Sequence, residues 1–76
     1  METVIEARQN GNQVIFKTSA SATRSVGGKL IGYGSKGLVT KQGLSYAVYG
    51  ANGQKVDYFP ESKWSEKKWS YSDYCR

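Results

Sequence analysis

Two Asn-Gly pairs govern what this chain can fold into. Asn10-Gly11 and Asn52-Gly53 each lie between short runs in which apolar and polar residues alternate. Both residue types accept the left-handed backbone of a two-residue hairpin, so each pair predicts a tight antiparallel turn. The first joins Thr3–Arg8 to Gln13–Thr18, with Val14 and Phe16 on one face and Gln13, Ile15 and Lys17 on the other. The second joins Leu44–Gly50 to Gln54–Phe59. Lys29–Gly34 and Gly37–Lys41 read as two more strands, separated by Ser35-Lys36 and followed by a turn at Gln42-Gly43. Pro60 closes the series because it cannot donate to a ladder. Strands at this spacing, with no long helical period, predict a mainly β domain. The expected form is a small five- to six-stranded antiparallel sheet or barrel, SH3-like or OB-like, with room for one short helix.

Two segments carry no clear period. Ser19–Ser25 is mostly Ser and Thr with two Ala and Arg24. It suits a solvated loop or a short helix capped by Ser19. Ser and Thr compete with the helix backbone for hydrogen bonds, which favours the loop. In Glu61–Arg76, Ser62 is placed to cap a short helix over Lys63–Lys68, while Trp69-Ser70-Tyr71-Ser72 alternates like a strand. The expectation there is a helical turn or loop, then a final edge strand over Lys68–Tyr74. The chain thus reads as one domain over residues 1–76: a first hairpin at 1–18, a Ser/Gly-rich loop at 19–28, a central meander at 29–59 and an aromatic tail at 60–76 packing on the sheet. A domain of 76 residues has a small core. Its ten aromatics are the side chains best able to enlarge that core, and six of them fall in 58–74.

Charge is unevenly distributed. The run Ala7–Val56 contains no Asp or Glu and carries seven cations, whereas the flanking segments hold all six acids. A field of one sign over most of a domain attracts polyanions. The same excess, +5 in total, also serves simple solubility.

Several chemistries are excluded at once. Without histidine there is no Ser–His–Asp or Cys–His arrangement, and with Cys75 as the single cysteine there is no zinc site of the usual kind and no disulfide framework. No pair of carboxylates stands close enough in sequence to suggest acid–base work. The chain reads as a non-enzyme without cofactor or metal. No secretory leader and no membrane-length apolar run is evident, so a cytoplasmic, non-membrane protein is expected.

Gly32-Tyr33-Gly34-Ser35-Lys36-Gly37 matches G-x-G-x-x-G. In a dinucleotide fold that run opens a helix, but Leu38–Lys41 reads as strand. The glycines are therefore expected to bend a small sheet; the alternative is a turn whose N–H groups, beside Lys36, hold a phosphate.

Basic residues interleave with aromatics around this run. With Leu30, Leu44, Tyr46 and Val48 inward, Lys29 and Tyr33 share an outward face, Tyr49 points outward, and Val39 and Lys41 lie outward together. Rings and cations on one face suit single-stranded nucleic acid, which stacks bases and lays phosphates along cations. The candidate contact residues are Arg24, Lys29, Tyr33, Lys36, Lys41, Tyr49 and Lys55. The partner expected is nucleic acid, preferring single strands and read with little sequence discrimination; the alternative is an acidic protein surface. The tail cluster of Trp64, Lys67, Lys68, Trp69 and Tyr71 either covers the core or presents an aromatic patch to a protein.

Tyr58-Phe59-Pro60-Glu61-Ser62 resembles the aromatic-Ile/Phe-Pro-Lys-Ser ending that follows a hairpin in small β-barrel proteins of phages and mobile elements, with Glu61 in place of Lys. The resemblance spans five residues. It implies a small accessory protein, either a nucleic-acid binder or a phage-type inhibitor of a host protein, and carries over no functional residue.

Overall fold

The computed structural model describes residues 2–75. It is mainly β and antiparallel, with seven strands in two sheets and one short helix. The first sheet has the order β1-β2-β3, from Val4–Asn10, Gln13–Thr18 and Thr23–Gly27. Asn10 stays in the strand and pairs with Gln13, so the two-residue turn falls on Gly11-Asn12, one residue beyond the expected Asn10-Gly11, with the positive φ at Gly11. Val14 and Phe16 lie fully buried on the inner face.

Strand β3, Thr23–Gly27, takes up half of the loop expected over 19–28. Its register sets Arg24 opposite Phe16 and Val26 opposite Val14, so these two point inward, while Thr23 and Ser25 face solvent opposite Lys17 and Ile15. The Ser/Thr composition is that of a strand's wet face. Only one apolar residue, Val26, marks the dry face, too little for an alternation to be visible in sequence. The turn before it is short: Ser21 adopts a positive φ of 61° and Thr18 N–H donates to the Ala22 carbonyl.

Gly28 is the corner between the sheets. Its φ of 106° is hard for any residue with a side chain, and a Cβ there would lie 2.8 Å from the Lys41 carbonyl. Beyond it a four-stranded meander follows: β4 Lys29–Tyr33, β5 Gly37–Gln42, β6 Ser45–Gly50 and β7 Lys55–Pro60. The second sheet is covered on both faces. Leu38, Ala47 and Tyr49 join Val4, Val14, Phe16 and Val26 in the core between the sheets. Val39, Val48 and Phe59 form a second core on the opposite face.

This double coverage overturns several expected orientations. Val39 is fully buried, not outward, and Tyr49 is only 8% exposed. Tyr46 and Val48 do pack inward, but against the tail rather than the first sheet. Leu44, expected inside, sits in a turn and is 74% exposed. When both faces of a strand are dry, alternation separates two faces without saying which meets water.

The tail supplies the third layer. A 3-10 turn at Glu61–Lys63, helix α1 at Trp64–Lys67 and a second 3-10 turn at Lys68–Tyr71 run across the second core. The edge strand expected over Lys68–Tyr74 is absent. Trp64, Lys67, Tyr71 and Tyr74 recur at helical spacing, and this longer period outweighs the four-residue alternation at 69–72. Trp64 stacks on Tyr46 at 4.6 Å between centroids, and Tyr71 stacks on Phe59 at 6.3 Å. Asp57 ties the layer down, accepting from Lys67 Nζ at 3.0 Å and from the Tyr71 hydroxyl at 2.5 Å. No helix among the described residues is long and apolar enough to cross a membrane.

Candidate nucleic-acid interface

The seven expected contact residues do not form one surface. Tyr49 belongs to the core, where its hydroxyl accepts from Gln42 Nε2 at 2.7 Å, so it offers no ring to a ligand. Lys29 and Tyr33 lie on opposite faces of β4. Lys29 pairs with Lys41 and Tyr33 with Leu38, and a bulge between Leu30 and Gly32 breaks the alternation that would have aligned them. Tyr33 keeps 36% exposure at the sheet edge.

Ion pairs absorb three of the cations. Arg24 Nη2 lies 3.4 Å from Glu2, Lys36 Nζ 3.5 Å from Asp73, and Lys41 Nζ 2.9 Å from Glu61. The Glu61 hydrogen bond and its charge raise the Lys41 pKa, keeping that ammonium charged. The Glu2 carboxyl is held below its ordinary range, first by the Thr18 hydroxyl at 2.5 Å and then by Arg24. Lys29 and Lys55 make no ion pair among the described residues; Lys55 instead lies 4.7 Å over the Tyr58 ring.

The G-x-G-x-x-G run has a structural role that sequence did not reveal. It is the seat of the tail. A Cβ on Gly34 would run into the Asp73 carbonyl, one on Gly32 would lie 2.6 Å from Cys75 Sγ, and one on Gly37 would collide with the Tyr49 carbonyl. Lys36 N–H, the donor that a phosphate would need, gives its hydrogen to the Asp73 carbonyl at 3.1 Å. Burial against this seat pushes the Cys75 thiol pKa up, favouring the neutral form. The glycines bring backbone close to backbone, and the expected phosphate alternative at Lys36 is occupied by the chain itself.

What the fold does assemble is a groove of about 660 Å³ at the far end of β4 and β5. Three turns converge there: Gly11-Asn12, Gly27-Gly28 and Gln42-Gly43. Lys29 and Lys41 stand opposite one another in register on its wall, and no acid lines it. Gln9 and Gln42 brace it. Gln9 Oε1 accepts from Leu30 N–H at 2.7 Å, and Gln9 Nε2 reaches the Gly28 carbonyl at 3.0 Å, bridging the two sheets. Gln42 Nε2 donates to the Gly27 carbonyl at 3.0 Å. Sequence reasoning passed over both glutamines and Asn12, because nothing local distinguishes a bridging amide from a solvated one.

No protein-family model, no curated protein and no solved structure matches this chain. Among the described residues, no three His, Cys, Asp or Glu side chains gather to hold a metal.

Proposed function

We propose that this protein is a small basic module that binds nucleic acid through its phosphate backbone, with little sequence preference. The observation that carries the proposal is the acid-free groove with Lys29 and Lys41 in register on its wall. Four of its nine lining residues are glycines, which let a phosphate approach backbone N–H groups closely. Phosphate contacts position a nucleic acid without reading its bases, hence the weak sequence preference. Glu61 competes for Lys41, so Lys29 makes the first contact.

Salt titration of binding to a labelled single-stranded oligonucleotide, by fluorescence anisotropy, tests this. Each lysine–phosphate contact on a single strand adds about 0.7 to the slope of log K against log salt. Lys29→Gln with Lys41→Gln should therefore lower the slope by roughly 1.4. An unchanged slope, or no retention of oligonucleotide by the native chain at low salt, overturns the proposal.

One observation favours a second reading, docking on an acidic protein surface. Leu44 follows Gly43 of the groove and is 74% exposed, an apolar contact that a phosphate backbone cannot use. The same lysines would then steer encounter with a protein. Capture from lysate pretreated with nuclease separates the two, since only a protein partner survives it.

A further inference from the structure

The tail leaves one large ring out of its packing. Trp64, Tyr71 and Tyr74 all pack on the second core, whereas Trp69 is 77% exposed, the most exposed large apolar side chain among the described residues. An indole in that position contributes almost nothing to folding, since the hydrophobic gain requires burial. Its charge environment is specific. In the ion-pair pattern Glu61 is matched by Lys41, Glu66 by Lys63, Asp73 by Lys36 and Lys67 by Asp57. Lys68 is the one tail cation with no carboxylate partner among the described residues, and its Nζ lies 5.4 Å over the Trp69 ring.

We infer that Trp69 and Lys68 form a stacking site for an unpaired nucleobase and the phosphate beside it. A free π-face and an uncompensated ammonium on adjacent residues present the two groups that one nucleotide of a single strand requires. Charge complementarity selects this occupant: the ammonium beside the ring, Lys68, has no carboxylate partner among the described residues, and the chain as a whole carries +5. Duplex DNA keeps its bases stacked and would find only the lysine. The inference rests on the nucleic-acid reading above and adds to it a second contact point and a preference for single strands.

The experiment compares labelled oligo(dT) of about twenty nucleotides with a duplex of equal length, on the native chain and on Trp69→Ala and Trp69→Phe. Base stacking on an aromatic is worth enough that Trp69→Ala should weaken oligo(dT) binding about tenfold. Duplex binding should stay within twofold, and Trp69→Phe should restore most of the lost affinity because phenylalanine also offers a π-face. Indole emission should quench on oligo(dT) addition in the native chain and lose that response in Trp69→Phe, with Trp64 as the unresponsive background. Circular dichroism confirms that the variants fold. Native-like oligo(dT) affinity in Trp69→Ala overturns the inference. If Lys29→Gln with Lys41→Gln still lowers the salt slope in that case, the phosphate reading stands alone. Absence of oligonucleotide binding by the native chain overturns both.

Discussion

Gly34→Ala separates two explanations of the G-x-G-x-x-G run. If the glycines only bend the sheet, alanine at 34 is cheap, because Gly34 is not among the residues with positive φ and alanine adopts its backbone without strain. If the glycine seats the tail, the added methyl meets the Asp73 peptide, whose carbonyl carbon would lie 2.6 Å away. A backbone group cannot swing aside as a side-chain end can. Overpacking of this kind costs about 1–3 kcal/mol. Shifting Asp73 also weakens the Lys36 N–H bond to its carbonyl, at 3.1 Å, worth about 1 kcal/mol. The Lys36–Asp73 ion pair adds little, since both side chains are substantially exposed. The sum, roughly 2–4 kcal/mol, is a large part of what so small a domain possesses. At 4–8 °C per kcal/mol, the melting temperature should fall by about 8–32 °C. Thermal unfolding followed by circular dichroism and by Trp64 emission reads it directly. A melting temperature within about 3 °C of the native chain would refute the seat.

Truncation after Pro60 should abolish cooperative melting, because it uncovers Val39, Val48 and Phe59 and leaves the second sheet dry on one side only; a retained sigmoidal transition would contradict this. Acid stability should depend on Asp57. The Tyr71 hydroxyl and then Lys67 depress its folded pKa, so its contribution is present above the unfolded carboxylate value near about 4 and is lost as pH falls through the folded one. Asp57→Asn should flatten stability against pH in that window, measured by denaturant titration at a series of pH values. At the alkaline end the sign reverses. Burial and Asp57 push the Tyr71 pKa up to about 12, so its contribution is full below the unfolded value of about 10 and fades as pH rises towards 12; Tyr71→Phe should remove that loss.

Much of the scaffold was legible locally. The Asn-Gly pairs placed two hairpins, and six strands fell within a residue or two of their expected bounds, because turn chemistry and period-two alternation act over a few residues. Val14 and Phe16 share a face as read, and the structure makes that face the buried one. Strand β3 was missed because its ladder partner β2, not its own side chains, makes it a strand. The site was less legible. Lys29 and Lys41 were both candidates, but their opposition across β4 and β5, and the turns that enclose them, depend on register. Gln9 and Gln42 became visible only once two sheets supplied them with backbone partners.

By itself the sequence determined the antiparallel β class, the positions of its tightest turns, the acid-free basic run and the exclusion of histidine and disulfide chemistry. These depend on residue type and short spacing alone. The tertiary structure decided which cations stay uncompensated, which tyrosine is core and which tryptophan is free. The acids at the two ends of the chain return to the basic run and neutralise Arg24, Lys36 and Lys41. The tail buries Val39, which alternation had assigned to solvent, together with Val48 and Phe59. Contacts between residues distant in sequence leave no periodic trace in it, and so the binding face followed from packing.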